Sequence, residues 1–270
     1  MKNRVIQAVS LLIVIFVIAG MCACAKKPVD NSTLITHRSV TLSTSSTTKV
    51  TEDPSVTAIA PTGKDDILEY FNGSLVKFNN FDFDFNKSLS TELVSFSAGD
   101  LNDVDGATDA YRSALRSACA DMMGVGSLDT SYYVGDNKEE AMPIKEIEPE
   151  NVKSISAEAK ENKVVINIEF VPLSADGVET VQPLTADYMT NSSFNEKIHE
   201  CEASASETSV KISNVRLSAV IDYTTRNFDT IAITFGTDFK AEKLSLTYVS
   251  GGPVTGATKT TITYKDFSEK

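Results

Sequence analysis

The last third of the chain carries apolar residues at every second position, and that pattern restricts it to extended strands. Val215, Leu217, Ala219, Ile221 and Tyr223 form one such run, closed by a turn at Thr225-Arg226-Asn227. Ile231, Ile233 and Phe235 form the next, with a break at Gly236 to Asp238. Leu244, Leu246 and Tyr248 then lead to a Gly251-Gly252-Pro253 loop, and Thr260, Ile262 and Tyr264 close the chain. Side chains of an extended strand alternate between faces, so each run has one dry side and one wet side. Four strands with short connections predict an antiparallel meander whose dry face needs a cover from elsewhere in the chain.

Helical patterns upstream supply that cover. Thr62-Gly63-Lys64-Asp65 resembles a capping signal, and Ile67, Phe71, Leu75 and Phe78 follow at helical spacing until Asn79-Asn80. A second helix is predicted from a cap at Asp105 through Ala110, Ala114, Ala118 and Met122, stopped by Gly124 and Gly126. A third, short helix starts at a Ser193/Glu196 capping box and turns Phe194, Ile198 and Cys201 to one side. Between the first two helices, the alternation of Phe81-Asp82-Phe83-Asp84-Phe85 predicts a strand. Its expected partner is Leu93 to Phe96, with Asn86 to Ser90 as the turn. Val152 to Phe170 reads as a hairpin turning at Glu161-Asn162. Ser127 to Asn151, acidic and containing Pro143 and Pro149, reads as a surface excursion. The expected fold class is α+β: an antiparallel sheet made of a hairpin and a C-terminal four-stranded meander, with two N-terminal helices and one short helix on one face.

The N-terminus speaks to location. Lys2 and Arg4 precede an apolar run from Val5 to Met21, then Cys22-Ala23-Cys24 and a polar turn at Lys26 and Lys27. A positive start, an apolar centre and small residues have the form of a secretory signal. The uninterrupted part, Leu11 to Ile18, is shorter than the about 20 residues a spanning helix needs. The stretch resembles the lipobox of bacterial lipoproteins, in which a small residue precedes a Cys that is diacylated and becomes residue one after cleavage. Cys24 follows Ala23 and fits that role, and Cys22, behind Met21, is the alternative acceptor. Two acyl chains, each contributing about 0.8 kcal/mol per buried methylene, hold a protein stably at a membrane where one does not. The resemblance thus implies a signal peptide over 1–23 and a lipid-anchored protein at the cell membrane, facing outside the cytoplasm.

Residues 31–62 hold 15 Ser or Thr in 32 positions with no aromatic residue. So little apolar surface does not offset the entropy of ordering, and 24–62 is expected to be a disordered tether with a reach on the order of 30 Å. Residues 63–270 are expected to form a single domain. Of the net charge of −12, residues 1–30 contribute +3 and residues 31–62 zero, so the body from Gly63 is near −15. A body of that sign repels phosphate backbones, which argues against nucleic acid as a partner.

The chemical inventory is thin. Cys119 and Cys201 are the two cysteines beyond the leader, each on the apolar stripe of its helix. Outside the cytoplasm they are candidates for a disulfide; the alternative is two separate buried thiols. Of the two histidines, His37 lies in the tether and His199 stands beside Ile198 without a G-x-S-x-G serine or a metal-binding spacing. Asp82, Asp84 and Asn86 match the first, third and fifth places of a calcium loop, but Lys87 stands where the turn glycine belongs and Leu93 where the closing carboxylate belongs. Alternation along a strand accounts for the same residues. No cofactor motif is present. In a chain without tryptophan the tyrosine pair Tyr132-Tyr133 could stack on a sugar, but such a pair at a loop edge is more often a packing anchor.

In plan the chain looks like the small surface lipoproteins of Gram-positive bacteria: lipobox, Ser/Thr tether, one α+β domain. That resemblance speaks to location; the anchor and tether combined with the thin catalytic inventory point to a non-enzymatic module that binds an extracellular protein, a wall component or a small ligand. A second reading is a carrier holding an apolar ligand between sheet and helices. A third is a hydrolase using paired carboxylates, for which no pair of acidic residues stands out.

Overall fold

A computed structural model describes residues 57–101, 108–133, 141–171 and 189–270. Among these residues the protein is mixed α and β, 54% strand, with a seven-stranded antiparallel sheet and three helices. The helices are α1 (Lys64–Asn80), α2 (Thr108–Met122) and α3 (Asn191–Glu200). The strands are β1 (Phe83–Leu101), β2 (Gly126–Tyr132), β3 (Val152–Lys160), β4 (Lys163–Phe170), β5 (Ser204–Asp222), β6 (Phe228–Ser245) and β7 (Ser250–Glu269). Their spatial order is β2-β1-β7-β6-β5-β4-β3.

Four strands are far longer than the alternating runs suggest. β1, β5, β6 and β7 have 19, 19, 18 and 20 residues, each about 60 Å of extended chain. The expected turn at Asn86–Ser90 does not exist: β1 runs straight through it, pairing with β7 on one side and β2 on the other. Gly236–Asp238 likewise lies inside β6, and Gly251-Gly252-Pro253 inside β7; the reversal between them is at Leu246–Val249, where the Leu246 N–H donates to the Val249 carbonyl at 2.7 Å. The C-terminal meander therefore has three strands, not four. Small residues there serve close packing. A Cβ on Gly256 would overlap the Phe239 ring, and one on Gly252 the Glu242 carbonyl.

One row of cross-strand partners crosses the whole sheet: Leu128, Leu89, Ile262, Ile233, Leu217, Ile168 and Ile155. On this dry face two clusters form. α1 covers the first with Phe71, Leu75 and Phe78, the last packed against Phe83, Phe85 and Phe267 at ring separations of 5.3 to 5.7 Å. α2 and α3 cover the second through Leu115, Cys119, Met122, Phe194 and Ile198 over Phe239 and Val254. Thr91, Thr237, Thr258 and Thr260 are buried between the two, with the hydroxyls of Thr91 and Thr260 3.1 Å apart. Helices on one face agree with the sequence reading.

A bulge keeps that face dry along β5. Asn214 adopts φ 54° where pairing with β6 shifts between Ser213 and Arg216. The extra residue changes the phase of alternation, so Ile212 and Val215 are both buried.

Other boundaries differ from expectation. α1 begins after Gly63 with no side-chain cap, and Asp65 and Asp66 favour its positive end instead. The α3 box is Thr190 with Ser193: each side chain bonds the other's backbone N–H, at 3.0 and 2.8 Å. Asp105 lies outside the described residues. Among its described residues the acidic excursion is neither wholly irregular nor all surface. Gly126–Tyr132 is an edge strand, and Ala141, Met142, Ile144 and Ile147 are buried in the α1 cluster. Asn72 on α1 holds this segment with a double amide bond: its Nδ2 donates to the Ile147 carbonyl at 3.1 Å and its Oδ1 accepts the Ile147 N–H at 3.0 Å. At the other end of the body Ala58, assigned to the tether, is buried and donates its N–H to the Glu161 carbonyl at 2.9 Å.

Candidate functional site

The wet face of the sheet is built from short polar side chains. Ser127, Ser90, Thr261, Thr234, Arg216, Glu169 and Ser154 are cross-strand partners in one row. Asp129, Ser88, Thr263, Ala232, Ser218, Asn167 and Ser156 form the next. Where these rows cross β3 to β6 the surface sinks into an open depression of about 390 Å³. Hydroxyls of Ser154, Ser156, Ser218 and Thr234 and the amide of Asn167 line it, with Arg216 and Glu169 as its two charges. Twist explains the hollow: long strands coil, and side chains this small do not fill the concavity.

Glu169 is held ionised. Lys153 Nζ meets its Oε1 at 2.7 Å and the Ser154 hydroxyl donates to Oε2 at 3.3 Å. The Lys153 hydrogen bond foremost, with help from Arg216, keeps its carboxyl below the usual range. A general acid needs the opposite shift, and Glu169 is the one carboxylate among the described residues lining this depression, so a two-carboxylate mechanism has no partner among them. What the depression offers is a set of neutral donors and acceptors around a fixed anion and a guanidinium.

A second polar group sits at the far end of β4 and β5. Lys163 Nζ bridges Asp222 at 2.9 Å and Asp229 at 3.0 Å. Burial works against the ammonium, and the two carboxylates more than offset it, so Lys163 titrates above its ordinary value. Asp222 also accepts the N–H groups of Thr224 and Thr225 at 3.0 and 2.7 Å, closing the turn into β6. Burial raises its pKa, and the Thr225 and Lys163 bonds together carry it below normal. Next to this turn the Arg226 guanidinium stands 3.4 Å over the Tyr70 ring. These contacts hold a hairpin to α1 and have the character of scaffolding.

The residues singled out by sequence scatter. Cys22 and Cys24 lie outside the described residues. Asp84 and Asn86 are in β1, not in a loop: Asp84 pairs with Lys270 at 2.7 Å, and Asn86 donates to Asp266 at 2.9 Å and accepts from Ser131 at 2.7 Å. Asp82 precedes the strand, its carbonyl accepting the Lys270 N–H at 3.0 Å. Extended backbone carries alternate side chains along a line rather than around a cation, so the calcium-loop match fails on geometry. No cluster of three or more His, Cys, Asp or Glu suited to a metal ion exists among the described residues. His199 is exposed on α3. Tyr132 stacks on Phe85 with centroids 5.1 Å apart, whereas Tyr133 is exposed. Cys119 and Cys201, by contrast, belong to one cluster, both as free thiols: Cys119 is buried, and Cys201, half-buried, caps α3.

The alternation from Val215 to Tyr223 already sets Arg216 on the wet side; what the sequence does not show is that Glu169 and Thr234 stand beside it, because that register is set by pairing across β4, β5 and β6. Comparison with protein-family models, with curated proteins and with solved structures finds no match to this chain. No helix among the described residues is long and apolar enough to cross a membrane.

Proposed function

We propose that the chain is a lipoprotein anchored at the cell membrane by a diacylglyceryl group on Cys24, with Cys22 as the alternative acceptor, and displayed outside the cytoplasm. Its folded body is a non-enzymatic binding module. The binding face is the depression across β3 to β6, and the partner is an extracellular protein, a wall component or a small polar ligand.

The observation that carries the binding face is the joining of hydroxyl, amide, Arg216 and Glu169 groups in one concave patch. Such a patch suits a ligand rich in hydroxyls and amides, which exchanges hydrogen bonds with water for hydrogen bonds with the sheet. The acidic body agrees with a partner other than nucleic acid. The anchor rests on the Lys2-to-Cys24 pattern. The carrier reading requires an enclosed apolar space, and the residues between sheet and helices, Phe71, Leu75, Leu115 and Met122 among them, are packed at zero exposure.

Two measurements test the proposal. Cells producing the full chain and fed labelled palmitate should place label on it in the membrane fraction, and Cys24→Ala should remove that label. Label retained by Cys24→Ala but lost with Cys22→Ala moves the anchor to Cys22; an unlabelled wild-type chain ends the lipoprotein reading. For the binding face, purified peptidoglycan is the first probe. The full chain should sediment with it, and Arg216→Glu with Ser218→Glu should sediment at least tenfold less. Equal sedimentation of variant and wild type would remove the depression from the binding role.

A further inference from the structure

Four cysteines occur in the chain, two near its N-terminus and two far apart in the folded body. The fold brings the latter two into one small apolar cluster. Cys119 sits on the buried face of α2 beside Leu115 and Met122, fully enclosed. Cys201 is the C-cap of α3 and packs on the same cluster. Its position is fixed by the closing turn of the helix, where its own N–H donates to the Lys197 carbonyl at 3.1 Å and the Ala203 N–H to the Ile198 carbonyl at 3.0 Å. We propose that Cys119 and Cys201 are joined by a disulfide in the exported protein, linking α2 to the end of α3. This inference rests on the extracytoplasmic location proposed above, because oxidising surroundings are what make such bonds persist.

The chemistry assigns an order to the two sulfurs. Burial first, and the neighbouring Cys201 second, push the Cys119 thiol up to about 12. Cys119 is therefore a poor thiolate, and the more accessible Cys201 reacts first. The oxidant is a disulfide of the thiol-exchange class. The Cys201 thiolate attacks one of its sulfurs, forming a mixed disulfide and releasing one thiolate. Cys119 then attacks the Cys201 sulfur, loses its proton and displaces the second thiol. The two cysteines lose two electrons and two protons in all, and the oxidant is reduced to two thiols. The bond ties the two helices that cover the second cluster and encloses β2, β3 and β4 in one covalent loop, so its main effect falls on the unfolded chain.

The full chain is isolated from membranes, alkylated in denaturant without reductant, digested and weighed. A peptide pair containing Cys119 and Cys201, two hydrogens lighter than the separate peptides, is the expected result. Alkylation of both cysteines in membrane-located protein overturns the proposal. If the chain is found in the cytoplasm, the location reading is what fails; refolding the purified chain in oxidised glutathione then decides the geometry, with a crosslink supporting it and two alkylated thiols ending it. As a second readout, Cys201→Ser should lower the urea midpoint of the isolated protein, and that difference should vanish in reductant. A difference that persists unchanged in reductant assigns Cys201 a packing role only and also counts against the bond.

Discussion

Asn72 shows how one side chain organises a segment without regular structure. Its amide bonds both backbone groups of Ile147, which buries Ile147 and its neighbours beneath acidic residues facing water. Asn72→Ala leaves a half-buried N–H and C=O without these partners and should cost about 1–3 kcal/mol in urea unfolding. Cys119 makes a pH-dependent contribution in the reduced protein. Burial pushes its thiol up to about 12, above the ordinary thiol value, so the stability it adds is fully present below about pH 9 and is lost as pH rises toward 12. In reductant, wild type should lose more stability than Cys119→Ala between pH 9 and pH 11, measured by denaturant midpoints; parallel curves would show that the thiol does not titrate in this window. No motif marks either residue: asparagine amides and buried thiols acquire their roles from what the fold places beside them.

At the scale of elements, β5 depends on its bulge. Asn214 takes a left-handed conformation that asparagine tolerates and β-branched residues resist. Asn214→Ile should destabilise by about 1–2 kcal/mol, while Asn214→Gly should stay near wild type, both by chemical denaturation. A similar loss in both variants would tie the effect to the lost side chain rather than to the backbone. Helices and hairpin were legible because their signals are local: α1 ends at Asn80 as the periodicity predicts, and Glu161-Asn162 turns β3 into β4. Glu161 adopts φ 55° to do so. Strand lengths were not legible. Asn86–Ser90 and Gly236–Asp238 contain residues common in turns, yet pairing on both sides keeps them extended, since every ladder bond there satisfies a backbone group that a turn would have to satisfy otherwise.

At the scale of the molecule, β5, β6 and β7 run beneath both hydrophobic clusters. Phe71→Ala on α1 and Leu115→Ala on α2 remove fully buried side chains from different clusters and should cost about 3–5 and 2–5 kcal/mol respectively. Each should lower one shared cooperative transition, followed by circular dichroism and tyrosine fluorescence together. Two separate transitions would show that the clusters melt independently despite the common strands.

The sequence alone determined the mixed α and β class, through apolar periods of two and of about 3.6 residues. Those periods are written in neighbouring residues, because an amphipathic face is a property of a short stretch. The tertiary structure decided what depends on partners distant in the chain. It made β1 one strand, inserted the Ala141–Ile147 segment into the core, moved Asp84 and Asn86 from a calcium-loop pattern onto a ladder, and brought Arg216 to Glu169. It also set Cys119 and Cys201 in one cluster. The physical reason is that a strand satisfies its backbone and buries its side chains only against other strands and helices, so its length, its register and the groups it gathers are fixed by the assembled sheet.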